Sequence, residues 1–553
     1  MEERIWHKHY DFNVQTEYRH PRFPTYELLN MAANVLPDKA AVDYYGAQMT
    51  FHELKTKVLA LATMFEKMGI QKGDRIGLHL PNIPEYVICF YAAGYVGAVV
   101  VNFNPLYTVS ELTQLVTLTG LDTIVTFDAG VGAINEVAKA VDIPHKIAVS
   151  IFDSMGGDKS TPDSLGLDSG WEHFHSLLAA CEHPRRPRVK VDCQDPAVIQ
   201  FTGGTTGIPK GAVLTHYNIV STAFSAVHWG AGNTGYTPVE KRTCMCALPF
   251  FHVYGNIIGM NWSMINCATM ILVPKFEIEP FMDLLANTDH ITFFPAVPTM
   301  ISAVVNHPKA AELALDKKIR LLNSGGAPIP QELMEKTLDT GLTASEGWGM
   351  SETTSLGVAN PILGLKKVGS IGIPFPGMDV RLVDVEDRTR EVAPGEAGEL
   401  LIKGPFVMDG YFENPEQTAR EMVDGWLCTG DVARMDEDGY LFIVDRKKDM
   451  VIAGGYNIYP RDIDEVLYQN PKVAEAVAVG VRDEYRGETV KAYVVLRPGE
   501  AATEKEIIDF CREKLAVYKV PKIVEFREEL PKSSVGKILR RILREEEDAK
   551  LSS

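Results

Sequence analysis

Hydrophobic positions in the first 150 residues alternate between two periods. The run MTFHELKTKVLALATMFEKMG repeats its apolar residues at helical spacing, with Thr50 placed to cap the first turn. GDRIGLHL reads as a turn and a strand, PEYVICFYAAGYVG as a helix, VVVNFN as a strand, TVSELTQLVTLTG as a helix and DTIVTF as the next strand. Strands interleaved with helices predict parallel sheets with crossover helices. The stretch from Tyr86 to Ser110 carries no charge. Its apolar part is shorter than the ~20 residues a membrane span needs and runs into Asn102, Asn104 and Pro105. A buried helix leading into a buried strand is therefore expected.

From 153 to 196 the pattern breaks. This segment is rich in Gly, Ser, Asp and Pro, includes the basic run PRRPRVK, and reads as a solvated surface excursion between strands. Alternation then resumes, with AVIQFT, TCMCALP, ATMILVP, ITFFPAVP and IRLLNSGG as strands. Between 370 and 443, Gly/Pro turns separate β-rich segments, which predicts a small barrel or sheet. After Asp445-Arg446-Lys447-Lys448, strands AEAVAVGV and VKAYVVL and helices RDIDEVLYQN and EKEIIDFCREKL describe a separate small α+β domain. The tail LRRILREEEDAKLSS reads as a frayed, charged helix end.

Charge narrows the partners. With 55 Lys and Arg against 73 Asp and Glu, the net charge of −18 repels nucleic acid phosphates. Any anionic ligand must be held by a few placed cations and backbone N–H groups. Eight sparse cysteines with no CxxC pair argue against a disulfide framework or structural zinc and fit a reducing cytoplasm. Cys244 and Cys246 read as alternate residues of a strand. The N-terminus lacks the apolar region of a signal peptide.

The strongest chemical signal is the loop from Thr202 to Gly211, TGGTTGIPKG, after the apolar run AVIQF. Gly203, Gly204 and Gly207 let backbone approach a ligand without Cβ clashes. Thr202, Thr205 and Thr206 supply hydroxyls and Lys210 a cation, so the loop can cradle phosphate. It is not a Walker A loop, because Lys210 lies between Pro209 and Gly211.

These residues resemble the phosphate loop of the AMP-forming adenylating enzymes, which include acyl-CoA synthetases, aryl-CoA ligases, luciferases and peptide-synthetase adenylation domains. Further segments match in that family's order: LPFFHVYG (248–255), NSGGAPI (323–329), EGWGMSETT (346–354), TGD (429–431), DRKKDMVIAGGYNIYP (445–460) and PKSSVGKILRR (531–541). The resemblance implies a large N-terminal domain (1–445) of two parallel-type α/β sheet subdomains plus a small β-barrel-like subdomain. A small, mobile α+β C-terminal domain (446–553) would follow. It also implies ATP, Mg²⁺ and CoA as reactants. The chemistry is consistent: a carboxylate has no good leaving group until it attacks the α-phosphate of ATP, and that step needs positioning, a metal and fixed cations more than a protein nucleophile.

Residue by residue, the resemblance makes Glu352 the Mg²⁺ ligand and Lys537 the lysine that neutralises the adenylation transition state. Lys210 would serve the phosphates, and His252 would position the carboxylate rather than act as a base. Trp348, where most of the family has Tyr, would lie against adenine, with Gly326, Ala327 and Pro328 on its other side. Gly347, Gly349 and Ser351 would complete the nucleotide site, and Asp431 and Arg446 would approach the ribose. Gly454 and Gly455 would line the pantetheine path of CoA, and Lys448 would be the hinge about which the small domain rotates between half-reactions. Lys532, Arg540 and Arg541 read as solvated.

Tyr254, Gly255 and Gly325 are candidates for the acyl pocket. His252 replaces the Asp by which peptide-synthetase domains pair an amino group, and the chain ends without a carrier domain, so an amino acid is an unlikely substrate. The motifs look closest to those of medium- and long-chain fatty acyl-CoA synthetases. An aryl-CoA ligase is the alternative, followed by a fatty acyl-AMP ligase and a non-catalytic nucleotide- or acyl-binding protein. The expected partners are the acid, ATP and CoA; peripheral membrane contact and a homodimer are compatible with the sequence.

Overall fold

The computed structural model describes residues 4–157, 159–202, 210–453, 456–483, 487–533 and 536–552. Three layers of strands, the second made of two sheets joined by one bridge, and one separate small domain account for its described strands. The first sheet has eight strands, ordered Gly410–Tyr411, Lys210–Thr215, Pro196–Thr202, Val99–Asn102, Arg75–His79, Thr123–Phe127, His145–Val149 and Trp171–His173. The six from Pro196–Thr202 onward run parallel. Lys210–Thr215 returns antiparallel, with Thr202 opposite Lys210, so the sheet itself holds the two ends of the segment 203–209.

A second α/β layer combines Thr243–Cys246, Thr269–Leu272, Ala40–Tyr44 and Ala47–Thr50 with Phe294–Ala296, Leu322–Ser324, Ala344–Trp348, Val358–Ala359 and Ile373–Pro374. An isolated parallel bridge from Cys244 to Phe293 joins the two sets. The third sheet is antiparallel and is built from Asp379–Val383, Gly398–Lys403, Met422–Val423, Trp426–Met435 and Leu441–Arg446.

The helix Pro84–Val96 is buried along all thirteen residues, which is why its sequence shows no polar face. Pro84 starts it, and Gly97, at φ 73°, ends it in the left-handed conformation. Thr50 caps Phe51–Lys67 in a reciprocal capping box with Glu53.

Residues 451–526 form their own sheet of Val451–Ala453, Tyr456–Ile458, Val473–Asp483, Gly487–Leu496 and Ile523–Phe526, around a core that includes Ile458, Ile463, Leu467, Ala478 and Ala492. This is the small C-terminal domain.

Three expectations are corrected. The excursion at 153–196 is not merely solvated loop. Trp171–His173 adds the last strand to the first sheet, and Trp171, Phe174 and Asp153 are buried. Three large or polar anchors in a Gly/Ser-rich setting gave no periodicity to read. The tail is not frayed either. Helix Arg540–Ser552 buries Leu543 against Val477, Val479, Val481 and Tyr493, and Glu547 accepts hydrogen bonds from Lys491 (2.9 Å) and Tyr493 (2.9 Å). Nor are Arg540 and Lys532 simply solvated: Arg540 pairs with Asp464 and lies 3.8 Å from Asp445, and Lys532 pairs with Glu475 at 2.5 Å. Replacing Leu543 with Ala should destabilise the small domain by about 2–5 kcal/mol. Urea unfolding of the full chain would read this, with Arg541→Ala as a nearly silent control.

Candidate active site

Backbone turns leaving the strands of both α/β layers meet the edge of the third sheet. Strand Ala344–Trp348 starts buried and emerges half-exposed at Gly347 and Trp348. Gly349 follows in a turn so tight that a Cβ there would lie 1.9 Å from the carbonyl oxygen of Ser355. Only glycine fits, and Ser351 and Glu352 are thereby carried into the cleft. Gly326, at φ 77°, turns the chain after Leu322–Ser324, leaving Gly326 and Pro328 exposed and Ala327 half-buried.

Asp431 and Arg446 face each other across adjacent strands of the third sheet and form an ion pair, 3.1 Å from Nε to Oδ1. The second carboxylate oxygen of Asp431 accepts a hydrogen bond from the Trp348 indole N–H at 2.8 Å. The pair therefore ties the nucleotide-side turn of one layer to the third sheet. Each carboxylate oxygen keeps a further lone pair for a hydroxyl.

Glu352 is buried and receives a 2.8 Å hydrogen bond from the Tyr411 hydroxyl. Burial raises its pKa, opposed by that hydrogen bond and by the charges of Arg446 and Lys210. Lys210 is 3.7 Å from Glu421 and lies over the Tyr411 ring. Among the described residues no group of three or more side chains could hold a metal. Glu352 does fit a metal held chiefly by phosphate oxygens, because such an ion needs only one or two carboxylates. Neither Tyr411 nor Glu421 carried a sequence signal: both lie outside the motifs, Tyr411 is placed by its antiparallel pairing with Ala212, and Glu421 by the helix Pro415–Glu421 that follows.

Lys537 reaches this cleft from the small domain. Its neighbour Gly536 packs against Val297 and Thr299 of the large domain; a Cβ there would sit 2.5 Å from the Thr299 hydroxyl. The positive charge of Arg446, then burial, depresses the Lys537 pKa to about 7, with Lys448 and Arg540 adding to the effect and Asp431 opposing it. His252 is lowered to about 4 by burial and then by Lys537, so it is neutral at pH 7. Its Nδ1 accepts from the Tyr254 backbone N–H at 3.3 Å.

Tyr254 opens a π-helical turn, Tyr254–Asn261, a local form enriched at functional sites. Its hydroxyl donates to Asn323, and its ring covers Gly325. Gly255 sits against the carbonyl of Pro249, 2.3 Å from where a Cβ would lie, so its glycine answers to packing. Lys448 is exposed, and its carbonyl accepts from Arg544 at 2.9 Å. Gly203, Gly204, Thr205, Thr206 and Gly207 lie outside the described residues, as do Gly454 and Gly455.

Residues 29–412 match the family of AMP-binding enzymes, and residues 462–537 match that family's C-terminal domain. The chain belongs to this family. Among the relatives of this AMP-binding enzyme is a long-chain-fatty-acid–CoA ligase of Bacillus subtilis (strain 168), 39% identical over 99% of this chain and 98% of the relative. A feruloyl-CoA synthase of an Amycolatopsis species is 33% identical over 92% and 96% of the two chains. Among solved structures, ATP-bound MatB from Rhodopseudomonas palustris superposes with a TM-score of 0.83 at 28% identity, covering 95% of this chain and 99% of that one.

Trp348→Phe keeps the ring but removes the hydrogen bond to Asp431. Losing a bond to a charged group should raise the KM for ATP by about 10-fold or more in steady-state kinetics, with a smaller effect on the KM for CoA. The Lys537 amine, depressed to about 7, should regain its proton when phosphates arrive. ATP binding at about pH 8 should therefore take up a proton, and affinity should fall as pH rises above about 7. Titration calorimetry in buffers of different ionisation enthalpy would measure the uptake, which Lys537→Ala should abolish.

Proposed function

We propose that this AMP-binding enzyme is a fatty acid–CoA ligase that works in two half-reactions. The observation that carries the reading is the convergence of Glu352, Asp431, Arg446 and Lys537 on one cleft with Lys210, together with full-length similarity to long-chain-fatty-acid–CoA ligases. In the first half-reaction an oxygen of the fatty acid carboxylate attacks the α-phosphorus of ATP, and the bond to pyrophosphate breaks. Trp348 and the 326–328 turn hold the adenine, and Asp431 accepts the ribose hydroxyls while Arg446 fixes it. Lys537, charged once phosphate is present, neutralises the anion forming between acid and nucleotide. Mg²⁺ bound to Glu352 would screen the phosphate charge. Tyr411 orients the Glu352 carboxylate, and the loop ending at Lys210 cradles the outgoing phosphates.

Neutral His252 orients the carboxylate without competing for its charge. The hydrocarbon runs past Tyr254 and Gly325. In the second half-reaction the small domain turns about Lys448, Gly454 and Gly455 admit the pantetheine arm, and the CoA thiolate attacks the acyl carbonyl to expel AMP. A division near 445/446 serves this movement. The enzyme works in the cytoplasm, where ATP and CoA are available and eight unpaired cysteines are stable. Among the described residues no helix is long and apolar enough to cross a membrane, so an acid dissolved in a bilayer would be taken up by peripheral contact, by a monomer or a homodimer.

An aryl acid would use the same machinery, so the deciding experiment is a panel of acids from acetate to oleate, with coumarate and benzoate, read by pyrophosphate release with and without CoA. Medium and long chains should give the highest kcat/KM, with thioester formed only when CoA is added; preference for coumarate would replace the fatty acid reading. Lys537→Ala should lower acyl-AMP formation by about 100-fold or more, yet leave use of presynthesised acyl-AMP largely intact. Equal loss in both half-reactions would remove the alternation.

A further inference from the structure

The small domain meets the large one at a second place, away from Lys537. Its helix Pro460–Tyr468 presents Arg461 and Glu465, one turn apart and 3.8 Å from Nε to Oε1. Glu465 accepts from the backbone N–H of Gln331 at 3.4 Å. Gln331 begins helix Gln331–Asp339 of the large domain, and the preceding Pro330 supplies no side-chain cap, so the carboxylate of the small domain caps a helix of the large one.

Beside it lies Glu346, two residues before Trp348, only 4% exposed and holding one backbone donor, the Ile329 N–H at 3.4 Å. Burial pushes Glu346 up to about 7, and Arg461 is the cation that opposes the rise. Arg461 is itself 8% exposed, its Nη1 buried with no hydrogen-bond partner. Its backbone N–H donates to Asp445 at 2.9 Å, which fixes the start of its helix to the strand Leu441–Arg446.

The seam thus alternates in charge: Glu346 of the large domain, Arg461 and Glu465 of the small domain, then the positive end of a large-domain helix. Arg461 and Glu346 are removed from water and Glu465 partly so, and they offset that desolvation only while they stay near one another. When the small domain turns away, Glu346 and the Gln331 N–H lose these partners and regain water. The arrangement is specific to one orientation.

We propose that Arg461 and Glu465 are positioning residues that hold the small domain where Lys537 reaches the nucleotide, by docking on Glu346 and on the start of helix Gln331–Asp339. This rests on the reading that Lys537 serves adenylate formation. Arg461 touches no reactant; it acts on the first half-reaction alone, by setting how often Lys537 is in place.

The test compares the half-reactions in the full-length enzyme, with pyrophosphate release for acyl-AMP formation and thioester formation from presynthesised acyl-AMP and CoA for the second. Arg461→Met should slow the first by about tenfold or more and leave the second within about twofold. Arg461→Lys should restore most of the first. Adding Glu346→Gln to Arg461→Met should cost little more, because Glu346 without Arg461 is protonated in its buried site and already neutral, so the double variant should be better than the product of the single effects. Equal loss in both half-reactions, no loss in the first, or strict additivity would overturn the proposal. Lys537→Ala run in parallel separates the two ideas. If it divides the half-reactions and Arg461→Met does not, the seam is wrong and the lysine reading stands. If Lys537→Ala fails to divide them, both fall.

Discussion

Too many positive charges meet at one point for the protein's own carboxylates to balance. Arg446, Lys448 and Arg540 surround Lys537, and only Asp431 opposes them, so the lysine is driven down to about 7. Brought into this arrangement from water, Lys537 must give up a proton at neutral pH. The arrangement is therefore favoured as pH rises from about 7 towards the ordinary lysine value, and disfavoured as pH falls. Anionic phosphates reverse the balance. A polyanion would be held best with the small domain in this position, and would in turn favour that position. This explains how a chain of net charge −18 holds such reactants: the local field, not the global one, decides.

Asp431 is the hub of that field. Its two oxygens face Arg446 and Trp348, so one carboxylate joins the third sheet to the turn that follows strand Ala344–Trp348. A tyrosine at this position would present its hydroxyl elsewhere than an indole N–H. The substitution noted in the motif therefore changes a hydrogen bond as well as a stacking surface.

Much of the architecture was legible because periodicity reports burial. The alternating strands and helices of the first 150 residues, the capping role of Thr50 and the separate small domain all follow from pattern. The family was legible from ordered motifs. Tyr411 and Glu421 were not, because Tyr411 reaches the site through strand pairing between segments about 200 residues apart, and Glu421 through the helix that follows, which no local pattern encodes. Arg461 and Glu465 were hidden for a similar reason: on their own helix they look like a surface i, i+4 pair, and only the opposing face of the large domain gives them a task. The anchoring of Arg540 and Leu543 escaped because a run of charges reads as solvated, although one apolar residue per turn is enough to dock a helix.

The helix Pro84–Val96 has a consequence for how the chain comes into being. Tyr86 donates to Asn102 and to the Phe250 carbonyl, Tyr91 to Asn261, Tyr95 stacks on Tyr26, and Gly94 lies against Thr25 and close to His216. Its partners span most of the first half of the sequence, so during synthesis the helix can lie on Phe51–Lys67 at once but cannot complete its burial until residue 261 has emerged. At the usual rate of about 5–20 residues per second, a largely apolar segment waits roughly ten to thirty seconds for the last of its neighbours. Truncation between 97 and 261 would leave part of this helix uncovered, an aggregation-prone fragment in place of a domain.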